Sequence, residues 1–320
     1  MSQFGRLRVG VVGVGYLGSI HVSKLVNFPE VEGILVYDIN PEKMSRAERE
    51  YGVKPTGSLE EIVEKSDVII CASPTTTHYG IVKFCIEKGK PVFVEKPLTD
   101  NIKTAEEILN LSKEKGVKVQ VGHVERFNPA FLSAKSLIKD KPFFIESVRM
   151  SIYNPRGTDV DVILDLMIHD IDLTLSLVSE MPENISAIGV PVLTGDIDIA
   201  NVRLEFPSGA LANLTASRIS LEKMRKFRVF TKENYLSIDL YHKKTEMVRR
   251  FDGEILPYFP PVDTSLDAIT LELKSFIEAV LQDKPVVVSA EDGYKNMLVA
   301  EMIKEHISKR LGKILENTRP

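Results

Sequence analysis

"LRVGVVGVGYLG", residues 7–18, decides the fold. An apolar run of strand character stops at Gly13-Val14-Gly15-Tyr16-Leu17-Gly18, the spacing G-x-G-x-x-G, and a helical pattern follows. Each glycine has a physical task in a dinucleotide-binding turn. Gly13 permits the tight turn, Gly15 lets a pyrophosphate approach the backbone, and Gly18 lets helix and strand pack closely. The helix N-terminus, with Tyr16 and Leu17 in its first turn, offers free N–H groups and a positive dipole end to the phosphates. Asp38 closes the next strand run, ILVYD at 34–38. Its carboxylate can accept hydrogen bonds from both adenosine ribose hydroxyls and would repel a 2′-phosphate. No Arg follows it directly, so the expected cofactor is NAD rather than NADP.

Outward from this turn, strand and helix signals alternate. DVIICAS (67–73), KPVFVEK (90–96) and VKVQVG (117–122) are apolar runs of buried-strand type, with helical patterns between them. Such alternation predicts a doubly wound parallel sheet over residues 1–124. Beyond about 124 the texture changes. Strand signals at 184–191, 198–206, 210–218, 226–232 and 235–240 follow one another directly, and Pro207-Ser208-Gly209 reads as a hairpin turn. Residues 125–320 are therefore expected to form a second α/β domain, substrate-binding and oligomerising, on a mostly antiparallel open sheet. Helical patterns at 266–282 and 290–311 close it.

Composition excludes several classes. The chain has 320 residues, 43% hydrophobic and 27% charged, which suits a globular protein of two domains. No apolar run approaches the roughly 18–20 residues of a membrane helix. The net charge of −4 gives no general attraction to nucleic acid or anionic lipid. Two cysteines, Cys71 and Cys85, lie in apolar runs and read as reduced core residues of a cytoplasmic protein.

The chemistry-bearing stretch is "DLMIHDIDL", residues 165–173. Asp165, His169 and Asp172 share one face of a helix, while Asp170 points about 100° away from His169. Three readings compete: a metal site, a wet polar stripe, and a general base with an orienting acid. The residue types suit a metal, but the spacing matches no established signature and no cysteine is near, so no metal is expected. Glu95-Lys96-Pro97 ends a strand at the carboxyl edge where ligands bind in open parallel sheets, although alone it could be a surface ion pair. His78 lies near the same edge. His21 reads as structural, packed against the glycine-rich turn. His123, Arg126 and Asn128 follow the sixth strand, where they could line a pocket or serve a hinge. Arg218, Lys223, Arg225, Lys226 and Arg228 are the densest basic stretch, either a solvated strand face or a clamp for a diphosphate that Arg156 could join.

Taken in order, the glycine turn, Ser73-Pro74-Thr75 with His78, Glu95-Lys96-Pro97 and the Asp165…His169 pair resemble the glucose–fructose oxidoreductase / inositol dehydrogenase (GFO/IDH/MocA) family. The resemblance covers nearly the whole chain. It implies that Lys96, Asp165 and His169 face the substrate at the nicotinamide, and that Ser73, Pro74, Thr75, His78 and Glu95 adjoin the cofactor. The family often has Pro-Asn where this chain has Pro74-Thr75, which puts a side-chain contact there in question. VGHVERFNPA (121–130), the segment 153–173 and ASRISLEKMRKFR (216–228) look like the UDP-N-acetylglucosamine 3-dehydrogenases, whose product feeds an aminotransferase for amino-sugar lipid A. This implies oxidation of a UDP-sugar, with Lys96, His123, Arg126, Asn128, Arg156, Asp165, His169, Arg218 and Arg225 toward the substrate. A homodimer or homotetramer is expected, and no nucleic acid or membrane partner. Two alternatives stand beside it: an inositol or free-sugar dehydrogenase, and a non-catalytic NAD-binding sensor on the same fold.

Overall fold

The computed structural model describes residues 5–154, 160–251, 253–265 and 267–317. The chain divides into two compact units, 1–124 with 268–294, and 125–267 with 295–320.

The first unit is built on β1 (Leu7–Val12), β2 (Val31–Tyr37), β3 (Lys54–Pro55), β4 (Val68–Cys71), β5 (Val92–Glu95) and β6 (Val119–Gly122). They form a parallel sheet of order β3-β2-β1-β4-β5-β6. The order reverses beside β1, so the glycine turn opens at the switch point where such sheets bind ligands. Val9, Val11, Val68, Ile70 and Phe93 are fully buried, as strands covered on both faces require. Helix starts carry the polar side chains that satisfy their free N–H groups. Ser58 accepts from Glu61 N at 3.1 Å, while the Glu61 carboxylate reaches back one residue further than a standard capping box, to Gly57 N at 2.6 Å.

One boundary differs from the sequence expectation. The helix Ala268–Leu281 packs with the first unit, not the second: Leu273, Phe276 and Ile277 enter the core of β1, β2 and β4. Phe276 meets Phe93 with ring centroids 6.1 Å apart. Buried Gln120 donates to Glu272 O at 3.2 Å, and Val121 N to Val288 O at 2.9 Å. An amphipathic pattern shows that a helix needs an apolar partner but not which one. Cys71 and Cys85 are free and buried, and burial pushes the Cys71 thiol up to about 11.

The second unit's sheet comprises β7 (Phe144–Met150), β8 (Asn184–Val190), β9 (Ile199–Glu205), β10 (Leu211–Ser217), β11 (Met224–Phe230), β12 (Asn234–Asp239), β13 (Lys244–Phe251) and β14 (Glu254–Tyr258). Its order is β14-β13-β12-β11-β7-β10-β9-β8, and every pairing but β7–β10 is antiparallel. The expected hairpin joins β9 and β10, with Gly209 at φ +84°. Strands β7, β13 and β14 were not expected. One face bears Ile145, Val202, Leu204, Ala212, Leu214, Phe227 and Val229, on which the segment 163–178 packs through Ile163, Met167 and Ile171. The other face carries the tilted rings of Phe144, Phe230 and Tyr235. No helix among the described residues is long and apolar enough to cross a membrane.

Phe276→Ala should lower the unfolding free energy of the first unit by about 3–5 kcal/mol, the usual cost of deleting a buried phenyl ring. Denaturant unfolding checks this; an unchanged midpoint would mean that Phe276 is not part of that core.

Candidate functional site

At the glycine turn the three glycines carry different constraints. Gly13 sits at φ +87°, and a Cβ there would lie 2.7 Å from the backbone of Ser73. A Cβ on Gly18 would overlap the carbonyl oxygen of Gly13 at 1.8 Å, so the helix abuts the turn itself. Gly15 faces open space, room that a pyrophosphate could take against the backbone. Tyr16 and Leu17 are exposed on the first helical turn. The Asp38 carboxylate is fixed from behind: Oδ2 accepts from Val14 N at 3.0 Å and Oδ1 from Asn40 N at 2.9 Å. Lys43 Nζ stands 3.8 Å from it, a cation that sequence reading missed. Gly13, Asp38, Ile39, Lys43, Ser73 and Pro74 line a cavity of about 170 Å³. Thr77 lines it as well, hydrogen-bonded to Ser73 Oγ at 2.7 Å; Thr75, the residue expected, does not. These features fit an adenosine diphosphate half of NAD.

At the end of β5, Lys96 is half-buried. Glu95 beside it is held by His21, whose Nε2 lies 2.6 Å from Glu95 Oε1. Thus His21, expected to pack against the glycine turn, instead ties the helix after that turn to the residue before Lys96. Its ring also meets Phe93 edge-on at 5.5 Å. His78, expected as a cofactor neighbour, contacts backbone on both sides. It is buried, with Nδ1 2.9 Å from Pro97 O and Nε2 2.9 Å from Ser73 O. Each ring nitrogen faces a backbone carbonyl, and the one carrying the proton donates to it, so the ring sits between the ends of β4 and β5. His123 is buried at the end of β6, its N–H donated to Val121 O.

In the second unit, a π-helical turn at Ile163–Met167 leads into the helix Ile168–Val178. Such wide turns recur at functional sites. Asp161 starts it, its Oδ1 accepting from Ile163 N and Leu164 N at 3.0 Å. Asp165 and His169 are half-buried, whereas Asp170 and Asp172 are buried. Asp172, placed by helical spacing on one face with Asp165 and His169, is therefore more deeply buried than either. Asp172 receives Arg126 Nε and Nη2, at 2.8 and 2.7 Å, and Asn296 Nδ2 at 2.7 Å. Asp170 receives Arg149 Nε and Nη2 at 2.8 and 3.0 Å. Arg126 is thus spent on an internal pair rather than lining a pocket. Asn128 likewise caps the helix Pro129–Leu137 and donates to Glu125 Oε2 and Leu240 O. Among the described residues no three His, Cys, Asp or Glu side chains gather as metal ligands.

The basic stretch splits by strand alternation. Lys226 and Arg228 point to the face away from the helix, in cross-strand pairs with Asp239 and Glu146. Arg218 is buried, donating to Val160 O at 2.6 Å, which removes it from a surface clamp. Arg225 lies on the helix-bearing face with its side chain 45% exposed, 3.2 Å from Glu125 Oε1. Glu125 was missed by sequence reading. Its carboxyl is held below the usual carboxylate range, against the opposing effect of burial, by Arg149 and then Arg225. Arg156 lies outside the described residues.

Known proteins are similar to this chain in sequence and fold. A model of an oxidoreductase family with an NAD-binding Rossmann fold matches residues 7–123, and one of the GFO/IDH/MocA C-terminal domain matches 147–237. UDP-N-acetylglucosamine 3-dehydrogenase of Acidithiobacillus ferrooxidans is 30% identical over 304 residues, covering 93% of this chain and 96% of that protein. Myo-inositol 2-dehydrogenase of Thermotoga maritima is 27% identical over 335 residues, covering 97% and 99%. The solved structure of the Acidithiobacillus enzyme, GnnA, superposes with a TM-score of 0.89 at 28% identity, over 94% of this chain and 97% of that one.

Because Glu125 is ionised more readily in the folded chain, its pairing adds stability above the ordinary carboxylate range and loses it as pH falls. Glu125→Gln should therefore lower stability at pH 7 by on the order of 2 kcal/mol, a charged hydrogen bond's worth. The gap to the unmodified protein should narrow as pH falls below the ordinary carboxylate range, checked by denaturant titration at each pH. A gap that does not depend on pH would mean that Glu125 is not held as a carboxylate.

Proposed function

Because the chain belongs to the GFO/IDH/MocA family of NAD-binding oxidoreductases, we propose that it oxidises a hydroxyl of a nucleotide sugar to a ketone, with the 3-hydroxyl of UDP-N-acetylglucosamine as its substrate group. The observation that carries this reading is Arg225. It is a half-exposed guanidinium on the same sheet face as the segment bearing Asp165 and His169, the kind of donor that holds a diphosphate with charge-assisted contacts. The full-length likeness to a UDP-N-acetylglucosamine 3-dehydrogenase supports it.

Gly13, Gly15 and Gly18, with Asp38 and the cavity beside it, would hold the cofactor. Bound NAD supplies the hydride acceptor. The remaining roles fall to side chains matched to the family's motifs. A neutral His169 takes the hydroxyl proton. Asp165, one turn earlier, orients that hydroxyl or the imidazole. The Lys96 ammonium stabilises negative charge developing on the same oxygen. Asp38 favours NAD over NADP, Lys43 notwithstanding, because its carboxylate is fixed by two amides at the ribose end.

NADH formation measured over UDP-sugars, free sugars and inositol, with NAD and with NADP, tests the reading. UDP-N-acetylglucosamine with NAD should be turned over fastest; preference for inositol would put the inositol dehydrogenases in its place. His169→Ala should cut turnover by roughly 10²–10⁴-fold with NAD affinity nearly intact. Normal turnover in that variant would make His169 structural. Arg225→Ala should weaken UDP as a competitive inhibitor by roughly ten-fold, as expected for a lost charge-assisted contact. UDP failing to inhibit the unmodified enzyme would remove the nucleotide-sugar substrate.

A further inference from the structure

Arg225, Glu125, Arg149 and Asp170 form a line of four charges on the helix-bearing face of the second sheet. Arg225 and Arg149 stand directly opposite on β11 and β7, a like-charge pairing that repels unless bridged. Glu125 bridges it with one oxygen: Oε1 accepts from Arg149 Nη1 at 2.9 Å and Arg225 Nη1 at 3.2 Å. Its other oxygen accepts from Asn128. The opposite edge of Arg149 holds Asp170, the residue after His169. Arg149 is buried and Arg225 is 45% exposed, so the line runs from solvent to the neighbour of the proposed base.

We propose that Arg225 relays phosphate occupancy to the catalytic helix. It exchanges Glu125 for the substrate's diphosphate, and Glu125 Oε1 then serves Arg149 alone. The proposal rests on the nucleotide-sugar reading above. Of the two contacts sharing Oε1, that of Arg225 is longer and more exposed, so it yields first. A diphosphate offers more charge and more acceptors than half a carboxylate oxygen. Among the described residues Arg149 has Asp170 and Glu125 to offset its burial, so an undivided Glu125 fixes it more firmly and, through Asp170, the helix Ile168–Val178. Glu125, Arg149 and Asp170 are positioning residues in this scheme, and Arg225 is a binding one.

Steady-state kinetics with NAD and UDP-N-acetylglucosamine on the unmodified enzyme and Glu125→Gln tests it. The neutral amide releases Arg225 and loosens Arg149. KM for the sugar nucleotide and the UDP inhibition constant should each fall at least threefold while kcat falls at least fivefold, with KM for NAD unchanged. A plain structural lesion moves KM up as kcat falls, and that result, or no change in either, overturns the relay. Should Glu125→Gln fold poorly, amide exchange on the unmodified protein decides. Saturating UDP should slow exchange within 168–178, and Arg225→Met at its own saturating UDP should not show this. Absence of slowing in the unmodified protein overturns the relay. If UDP inhibits the unmodified enzyme yet these signs fail, the relay alone is wrong; if UDP does not inhibit at all, the nucleotide-sugar reading goes with it.

Discussion

A guanidinium cannot shed its charge in a protein, so burying Arg149 dictates what must surround it. Two carboxylates meet it, Asp170 from the helix and Glu125 from the turn before Asn128. Each partner is itself costly to bury alone. The second pair, Arg126 with Asp172, adds Asn296 and repeats the logic about half a helical turn away. The acid-rich, otherwise apolar segment 165–173 is thereby explained. Half of its ionisable groups are turned inward as ion pairs, and Asp165 and His169 remain toward the surface.

The first unit reaches a comparable rigidity through backbone proximity. A Cβ at Gly18 has no room against Gly13 O, so the helix start cannot drift from the turn. His21, one turn along that helix, grips Glu95, and His78 brackets the ends of β4 and β5. Lys96 is therefore flanked by residues whose side chains or carbonyls are already committed. The sequence shows the histidines but not these partners, since they are contacts between segments 74 and 19 residues apart.

What could be read in advance follows from period and punctuation. Alternating apolar strands and helices announced the parallel sheet, and Pro207-Ser208-Gly209 announced a hairpin. β7 escaped because Glu146 and Arg149 interrupt its apolar alternation, and a buried arginine breaks the rule that charge lies outside. The basic stretch 218–228 was left open between a solvated strand face and a clamp, although period-two alternation already places Lys226 and Arg228 opposite Arg225. The helix 268–281 was assigned to the wrong unit because its apolar stripe names no partner.

The placement of the two inward acids bears on how His169 is aimed. Taking its direction as zero on an α-helix, Asp170 lies at about +100° and Asp172 at about −60°. The two ion pairs straddle the imidazole. Arg149 comes from β7 and Arg126 from the turn Val124–Phe127, so the anchors belong to different elements. Rotation of the helix in one sense stretches the Asp170 pair, and rotation in the other stretches the Asp172 pair. Since bidentate pairs tolerate little angular error, the helix has one preferred rotation, and it sets the half-buried residue 169 between its anchors. A proton acceptor must meet its substrate within hydrogen-bond reach, about 2.6–3.2 Å. Two opposed anchors flanking the base supply that constancy where a single one would leave a hinge.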